Sequence, residues 1–172
     1  MMKRYLPYLG LVVAAASAHP ALAAEFAPYG TARVDLRETL ASDVLFDVNY
    51  AEPQQLNGLY NYIRNMQQAT RGKVVVLTRG PELRVFAKEN YLQYQDIVDK
   101  MAALAKEGVE FRMCGNAMKA AGFQADDMHG FVTVAAAGGF PELVYWMSKG
   151  HMLINQSVNP TPLPVRDARY LD

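Results

Sequence analysis

Cysteine is all but missing from this chain: Cys114 is the only one in 172 residues. A single thiol closes no internal disulfide. It is therefore a buried inert group, half of an intermolecular bridge, or a free reactive thiol. Histidine is nearly as scarce, with His19, His129 and His151 only, and no spacing supports a Ser-His-Asp arrangement. Charge of one sign is lacking too, because 17 basic residues balance 17 acidic ones. With no basic stripe interleaved with aromatics, nucleic acid is not an expected partner. No apolar run reaches the roughly 20 residues a membrane span requires. Internal repeats and low-complexity tracts are absent as well.

What is present at the start of the chain is a targeting pattern. Lys3 and Arg4 precede an apolar run from Tyr5 to Ala18, then Pro20 and the small-x-small triplet Ala21-Leu22-Ala23. A positive start, a short apolar stretch and such a site describe a cleavable secretory signal peptide over residues 1–23. Its removal takes away Lys3 and Arg4 and no acid, leaving 149 residues with 15 basic against 17 acidic, a net charge of −2. That length suits one domain with a proper core. The expected location is the periplasm of a two-membrane cell, with no span after cleavage. An oxidising compartment makes a stray exposed thiol a liability, which leaves burial or function as the explanations for Cys114.

Residues 24–42 show no sustained period and read as an arm or linker. Val44–Val48 is a short apolar run that predicts a first strand. Glu52-Pro53 opens a helix, with proline tolerated in the first turn, and Leu56, Leu59, Tyr60, Ile63 and Met66 form its buried stripe. Lys73–Thr78 holds four consecutive apolar residues, as in a strand covered on both faces. Arg79-Gly80-Pro81 ends it. Glu82–Lys88 fits either a short strand or a helical turn. Tyr91, Tyr94, Ile97, Val98, Met101 and Leu104 mark a long amphipathic helix closed by Gly108. Val109, Phe111 and Met113 alternate with Glu110, Arg112 and Cys114, a strand period, and a short helix follows to Gly122. Ala125–Gly130 reads as a polar loop and Phe131–Ala135 as a fourth strand. Gly138 to Gly150 holds the last helix, and His151–Ile154 a fifth strand. The domain is expected to span residues 43–155. Asn159-Pro160-Thr161-Pro162-Leu163-Pro164 cannot pair inside a sheet, so residues 156–172 read as an extended, proline-rich tail. Strands alternating with helices through short loops predict a three-layer α/β domain with a five-stranded, mainly parallel sheet; the strand order is not readable.

Chemistry centres on the stretch from Val109 to Gly122. Cys114 stands at the carboxyl end of a strand and just before a helix N-terminus, with Gly115-Asn116 as the turn and cap signal. Ligands of open α/β sheets collect at that edge. A thiol there meets free N–H groups that stabilise thiolate over thiol. Arg112, two residues back on the same strand face and roughly 6–7 Å along the chain, would reinforce this. The alternatives remain open: Cys114 as a small core residue, and Arg112 as an edge residue whose stem covers apolar surface. Gly138-Gly139 before Phe140-Pro141 can leave N–H groups facing an anion. A tight turn needing positive φ is the favoured reading, since the run lacks dinucleotide or Walker spacing, and no cofactor is expected. Arg79 before Gly80-Pro81 is a similar candidate, with solvation as its plainer reading. Asp126, Asp127 and His129 lack a ligand helix and further cysteines, so no metal is expected, and His151 at a strand start has no ligand role.

Three stretches carry a family resemblance. They are Val74-Val75-Val76-Leu77-Thr78-Arg79-Gly80-Pro81; Gly108 through Cys114 with its alanine-rich helix; and Val132-Thr133-Val134 to Gly138, continuing through Pro141-Glu142-Leu143 to Gly150-His151-Met152-Leu153-Ile154. On these the chain resembles the DsrE/DsrF-like family, which includes TusD-type sulfur-relay subunits, from about Val44 to Ile154. The resemblance implies a flavodoxin-like α/β/α sandwich assembled as a homo-oligomer, a trimer or hexamer. It further implies a persulfide carried on Cys114, with Arg112, Gly115, Asn116, Arg79, Gly138 and Gly139 as thiolate-stabilising or substrate-binding neighbours. Sulfur donor and acceptor proteins would be the partners. A non-catalytic oligomer that binds a small ligand or partner, with Cys114 as a wall residue, is the alternative.

Overall fold

The computed structural model describes residues 41–157 together with Val34. The proposed signal segment, most of the arm at 24–42 and the tail after Ser157 lie outside the described residues. Five strands form one sheet: β1 (Val44–Asn49), β2 (Val74–Thr78), β3 (Glu110–Cys114), β4 (Val132–Ala135) and β5 (Met152–Ser157). Their order is β4-β3-β2-β1-β5, and every neighbouring pair is parallel. The sequence reading of a mainly parallel sheet is therefore met by one that is parallel throughout.

Three helices step the chain from strand to strand in one direction: α1 (Leu56–Ala69), α2 (Tyr91–Lys106) and α3 (Gly115–Ala120). A fourth, α4 (Gly139–Ser148), carries it back to place β5 beside β1. Right-handed crossovers running in opposite directions must put their helices on opposite faces. The packing follows. Val44, Phe46, Val76, Phe111 and Met113 meet Leu59 and Ile63 of α1, Met101 of α2 and Met118 of α3 in the main core. The alternate positions Leu45, Val75 and Leu77 meet only Leu143 of α4, with Trp146 packed beside them. β1 and β2 are buried nearly end to end, which is why both read as continuous apolar runs rather than alternating ones.

The end of the last strand differs from the sequence reading. The fifth strand, expected to end at Ile154, continues through Asn155, Gln156 and Ser157, which pair with Asp47, Val48 and Asn49. An edge strand needs only its ladder hydrogen bonds, so polar side chains do not end it. The ambiguous stretch after β2 is a 3-10 helix over Pro81–Phe86. The polar loop after Gly122 likewise contains a 3-10 turn at Ala125–Asp127.

Glu82 explains why the chain turns so sharply after β2. It is fully buried, and its carboxylate accepts N–H bonds from Tyr50 (3.0 Å), Arg79 (3.0 Å) and Gly80 (3.0 Å). One side chain thus satisfies the Tyr50 and Gly80 donors left unpaired as β1 and β2 end and shares the Arg79 N–H with the Val48 carbonyl (3.0 Å). Desolvation raises its carboxyl above the ordinary 4.5, although the backbone donors pull the other way. Burial also pushes the neighbouring Tyr50 phenol up to about 12, with Tyr62 and Glu82 adding to the shift, so it stays a donor to Gln156 (3.1 Å).

Glu82→Ala should destabilise the fold by about 2 kcal/mol or more, since it orphans the Tyr50 and Gly80 donors at about 1–3 kcal/mol each, while the Arg79 N–H keeps the Val48 carbonyl. Glu82→Gln should cost less. A carboxyl raised by folding binds its proton more tightly in the native state, so its contribution is complete below 4.5 and is lost as pH rises through the folded value. Urea midpoints over a pH series should therefore show wild type losing stability relative to Glu82→Gln as pH climbs through that window. A constant difference between the two proteins would show that Glu82 does not titrate there.

Candidate functional site

Cys114 is the last residue of β3 and the N-cap of α3, and its Sγ accepts the N–H of Ala117 at 3.4 Å. The cap is therefore the cysteine itself, a correction to the sequence reading that gave this place to Gly115-Asn116. The physical reason is room. A Cβ on Gly115 would lie 2.8 Å from the Ala135 carbonyl oxygen, so only glycine lets the helix start hard against β4. Asn116 sits inside the helix, with its side chain against Gly138.

A second helix reaches the same sulfur. The Gly139 N–H, at the start of α4, donates to Cys114 Sγ at 3.1 Å. The turn before it depends on Gly138, which has φ of 98° and would place a Cβ 2.6 Å from Asn116 Nδ2. Both readings of Gly138-Gly139 therefore have a counterpart: the positive-φ turn exists, and it directs an N–H at the thiol. Two helix N-termini converge on the sulfur of Cys114, a residue that is 8% exposed. Such N–H groups suit an atom that carries negative charge.

Arg79 packs beside the thiol at Gly139, whose Cβ, if present, would lie 3.4 Å from both Arg79 Cδ and Cys114 Sγ. The guanidinium is held in a fork by Asp47, with Nε to Oδ1 at 2.5 Å and Nη2 to Oδ2 at 3.0 Å. It also stands over the Phe140 ring, 5.4 Å from its centroid. Asp47's hydrogen bond, opposed by burial and followed by the charges of Asp47, Glu82 and Cys114, raises Arg79 above its already high ordinary value. Arg79 is therefore a fixed cation rather than a solvated one.

Arg112 lies on the expected strand face, but its guanidinium is engaged elsewhere. Nε donates to Glu142 (2.7 Å) and Nη1 to Glu110 (3.3 Å). Glu142 also accepts from Trp146 Nε1 (2.8 Å), so this cluster fastens α4 to the sheet. The cation packed at the thiol is Arg79, in place of the expected Arg112, because α4 lands on this face and brings a carboxylate over Arg112. Away from the thiol, Asp127 accepts from the Gln124 N–H (2.7 Å), and the His129 ring stacks on Phe131. Burial, helped by Lys88 and opposed by Asp99, lowers the basicity of His129. His151 is buried against Trp146.

The residues that sequence reasoning missed are Asp47, Phe140 and Glu142. Asp47 had a signal, a charged residue inside an apolar strand, since such a residue must find a partner. Phe140 and Glu142 had none, because their roles depend on where α4 lies.

With this geometry in hand, the family can be assigned. The model of the DsrE/DsrF-like family matches residues 45–156. The chain belongs to the DsrE/DsrF-like family. Among solved structures it is similar to MTH1491, a protein of unknown function from Methanobacterium thermoautotrophicum, with a TM-score of 0.57 and 22% identity. That match covers 66% of this chain and 98% of the other and supports the shared fold. No curated protein matches the chain in sequence.

The turn that aims Gly139 at the thiol gives a differential prediction. Gly138→Ala should cost about 1–3 kcal/mol for a non-glycine residue held at positive φ, plus the displacement of Asn116. Gly122→Ala, at φ of 88° with open space around its Cβ, should suffer the backbone cost alone. Denaturant melts in which the two variants lose the same stability would show that the Asn116 contact at Gly138 carries no weight.

Proposed function

We propose that this DsrE/DsrF-like protein is a persulfide carrier whose working group is Cys114. The observation that carries the reading is the convergence of two backbone N–H donors, from Ala117 and Gly139, on one sulfur. The Cys114 thiolate attacks the outer sulfur of a donor persulfide. An Sγ–S bond forms, the donor S–S bond breaks, and the donor leaves as a thiolate. The acceptor thiolate then attacks the outer sulfur on Cys114, regenerating the Cys114 thiolate as the acceptor becomes the persulfide. No net oxidation occurs, and rates follow thiolate character and access. Gly139 and Ala117 would hold negative sulfur in place, and Arg79 would balance its charge. Gly115, Asn116 and Gly138 set the two helix starts, whereas Arg112 acts through α4.

The low exposure of Cys114, 8%, favours one other reading: a non-catalytic oligomer in which the thiol only lines a wall. Intact mass separates the two readings. Protein from its native compartment, treated with a small-molecule persulfide, should gain one sulfur atom and lose it to an added thiol, and Cys114→Ala should gain none. No gain on wild type, with alkylation of Cys114 only after denaturation, would favour the wall reading. The same spectrum tests export: a mass that begins at Ala24 supports cleavage after Ala23 and a periplasmic location, while retention of residues 1–23 in envelope protein overturns it. No helix among the described residues is long and apolar enough to cross a membrane.

A homo-oligomer, trimer or hexamer, is part of the proposal. Phe140, Val144, Tyr145 and Met147 of α4 are all exposed, a concentration of apolar surface on one helix that suits a protein contact. Light scattering at micromolar concentration should give a multiple of the chain mass. A monomer mass would remove this part of the proposal and leave the thiol chemistry standing.

A further inference from the structure

A cavity of about 460 Å³ opens between the 3-10 helix after β2, the start of α2 and the end of α3. That volume lies within the range of small-molecule sites. Its lining includes Arg84, Asn90, Gln93, Tyr94 and Phe123, and no carboxylate. Two other cavities lack this character. The one beside Phe46, Tyr62 and Ile154 has no charged lining residue, and the one beside Arg71 and Lys73 also contains Glu107.

Arg84 is built into its position. Its chain neighbours Leu83 and Val85 are buried in the core, so the backbone beneath it is rigid. Its Nε donates to the Pro81 carbonyl (3.0 Å), which orients the guanidinium and leaves the two terminal NH₂ groups. Among the described residues Arg84 forms no ion pair. Asn90 Nδ2 donates to the Arg84 carbonyl (2.9 Å), pinning the rim to the same turn. Tyr94 is the second observation. It is only 8% exposed, yet it lines the cavity, and its hydroxyl has no hydrogen-bond partner among the described residues. The hydroxyl is not among the buried polar atoms left without a partner, so it opens to the cavity as a donor, beside a guanidinium that has no ion pair among the described residues.

We propose that this cavity is a second binding site, independent of Cys114, for a small organic oxyanion: a carboxylate or phosphate ester carrying an apolar body. The Arg84 fork matches two oxygens of such a group. The Tyr94 hydroxyl and the Gln93 amide supply further donors, and Phe123 with Ala121 offers an apolar wall. With no lining carboxylate, the site holds nothing to attract a cation.

Phenyl phosphate is a suitable probe, titrated into the full ¹⁵N-labelled protein. Phenyltrimethylammonium provides the same ring with opposite charge, and inorganic phosphate the anion without the ring. Saturable shifts at Arg84, Gln93 and Phe123 are expected with phenyl phosphate, weaker binding with inorganic phosphate, and none with the ammonium compound. Arg84→Gln, an exposed substitution that should leave folding intact, should weaken binding about tenfold, equivalent to about 1.4 kcal/mol. Tyr94→Phe, which keeps the ring in place, should weaken it about threefold, the size of one hydrogen bond. Cys114→Ala should bind as wild type does. Absence of saturable shifts, equal binding of the ammonium compound, or undiminished affinity in Arg84→Gln would each overturn the proposal. Equal affinity for inorganic phosphate would remove the apolar half of the ligand.

Discussion

The carboxyl edge of this sheet hangs on one buried carboxylate. Parallel strands end with backbone donors that the next strand does not satisfy, and here the ends of β1 and β2 both turn inward on Glu82. Because that side chain takes the N–H groups of Arg79 and Gly80, the chain turns immediately after β2. Arg79 is thereby held where Asp47 of the adjacent strand can grip its guanidinium. Asp47 is itself 2% exposed, and an unpaired charge at such a position would be costly. Glu82 and Asp47 thus set the direction of the cation that flanks the thiol. Neither touches the sulfur.

The other half of the site comes from the single helix that changes faces. α4 follows β4, and because the chain must return to pair β5 with β1, it covers the face that α1 and α2 leave open. Three contacts hold it there. Leu143 packs on Leu45, Val75 and Leu77, Glu142 bridges Arg112 and Trp146, and the Gly138 turn sets the helix start. Its first N–H then has only one place to point, at Cys114. The same helix presents Phe140, Val144, Tyr145 and Met147 outward, so the thiol stands at one end of an apolar surface. The cavity bounded by Arg84 and Tyr94 shares its walls with the turn after β2 and with the end of α3. The cavity and the thiol are therefore built on common elements.

Much of this was legible in the order of residues. Helical stripes such as Leu56, Leu59 and Ile63, and the continuous run Val74–Leu77, declare their elements because burial on one helical face or on both sheet faces leaves a period in the sequence. Strands alternating with helices specify a parallel sheet, since short connections allow little else. The lone Cys114 at a strand end before a helix needed no structure to be noticed. Its contact with Ala117 is local, three residues along the chain, and belongs to the same class of information.

What only the tertiary structure decided is long-range. Strand order rests on which edges meet. The choice of Arg79 over Arg112 beside the thiol rests on α4 bringing Glu142 over the one and leaving the other to Asp47, contacts that span some 30 residues of sequence. The Gly139 N–H reaches Cys114 across 25 residues, and nothing in its own neighbourhood distinguishes it from an ordinary turn. Local periodicity records how each segment is buried. It cannot record which charge faces which, because a carboxylate satisfies any donor that the fold brings within about 3 Å.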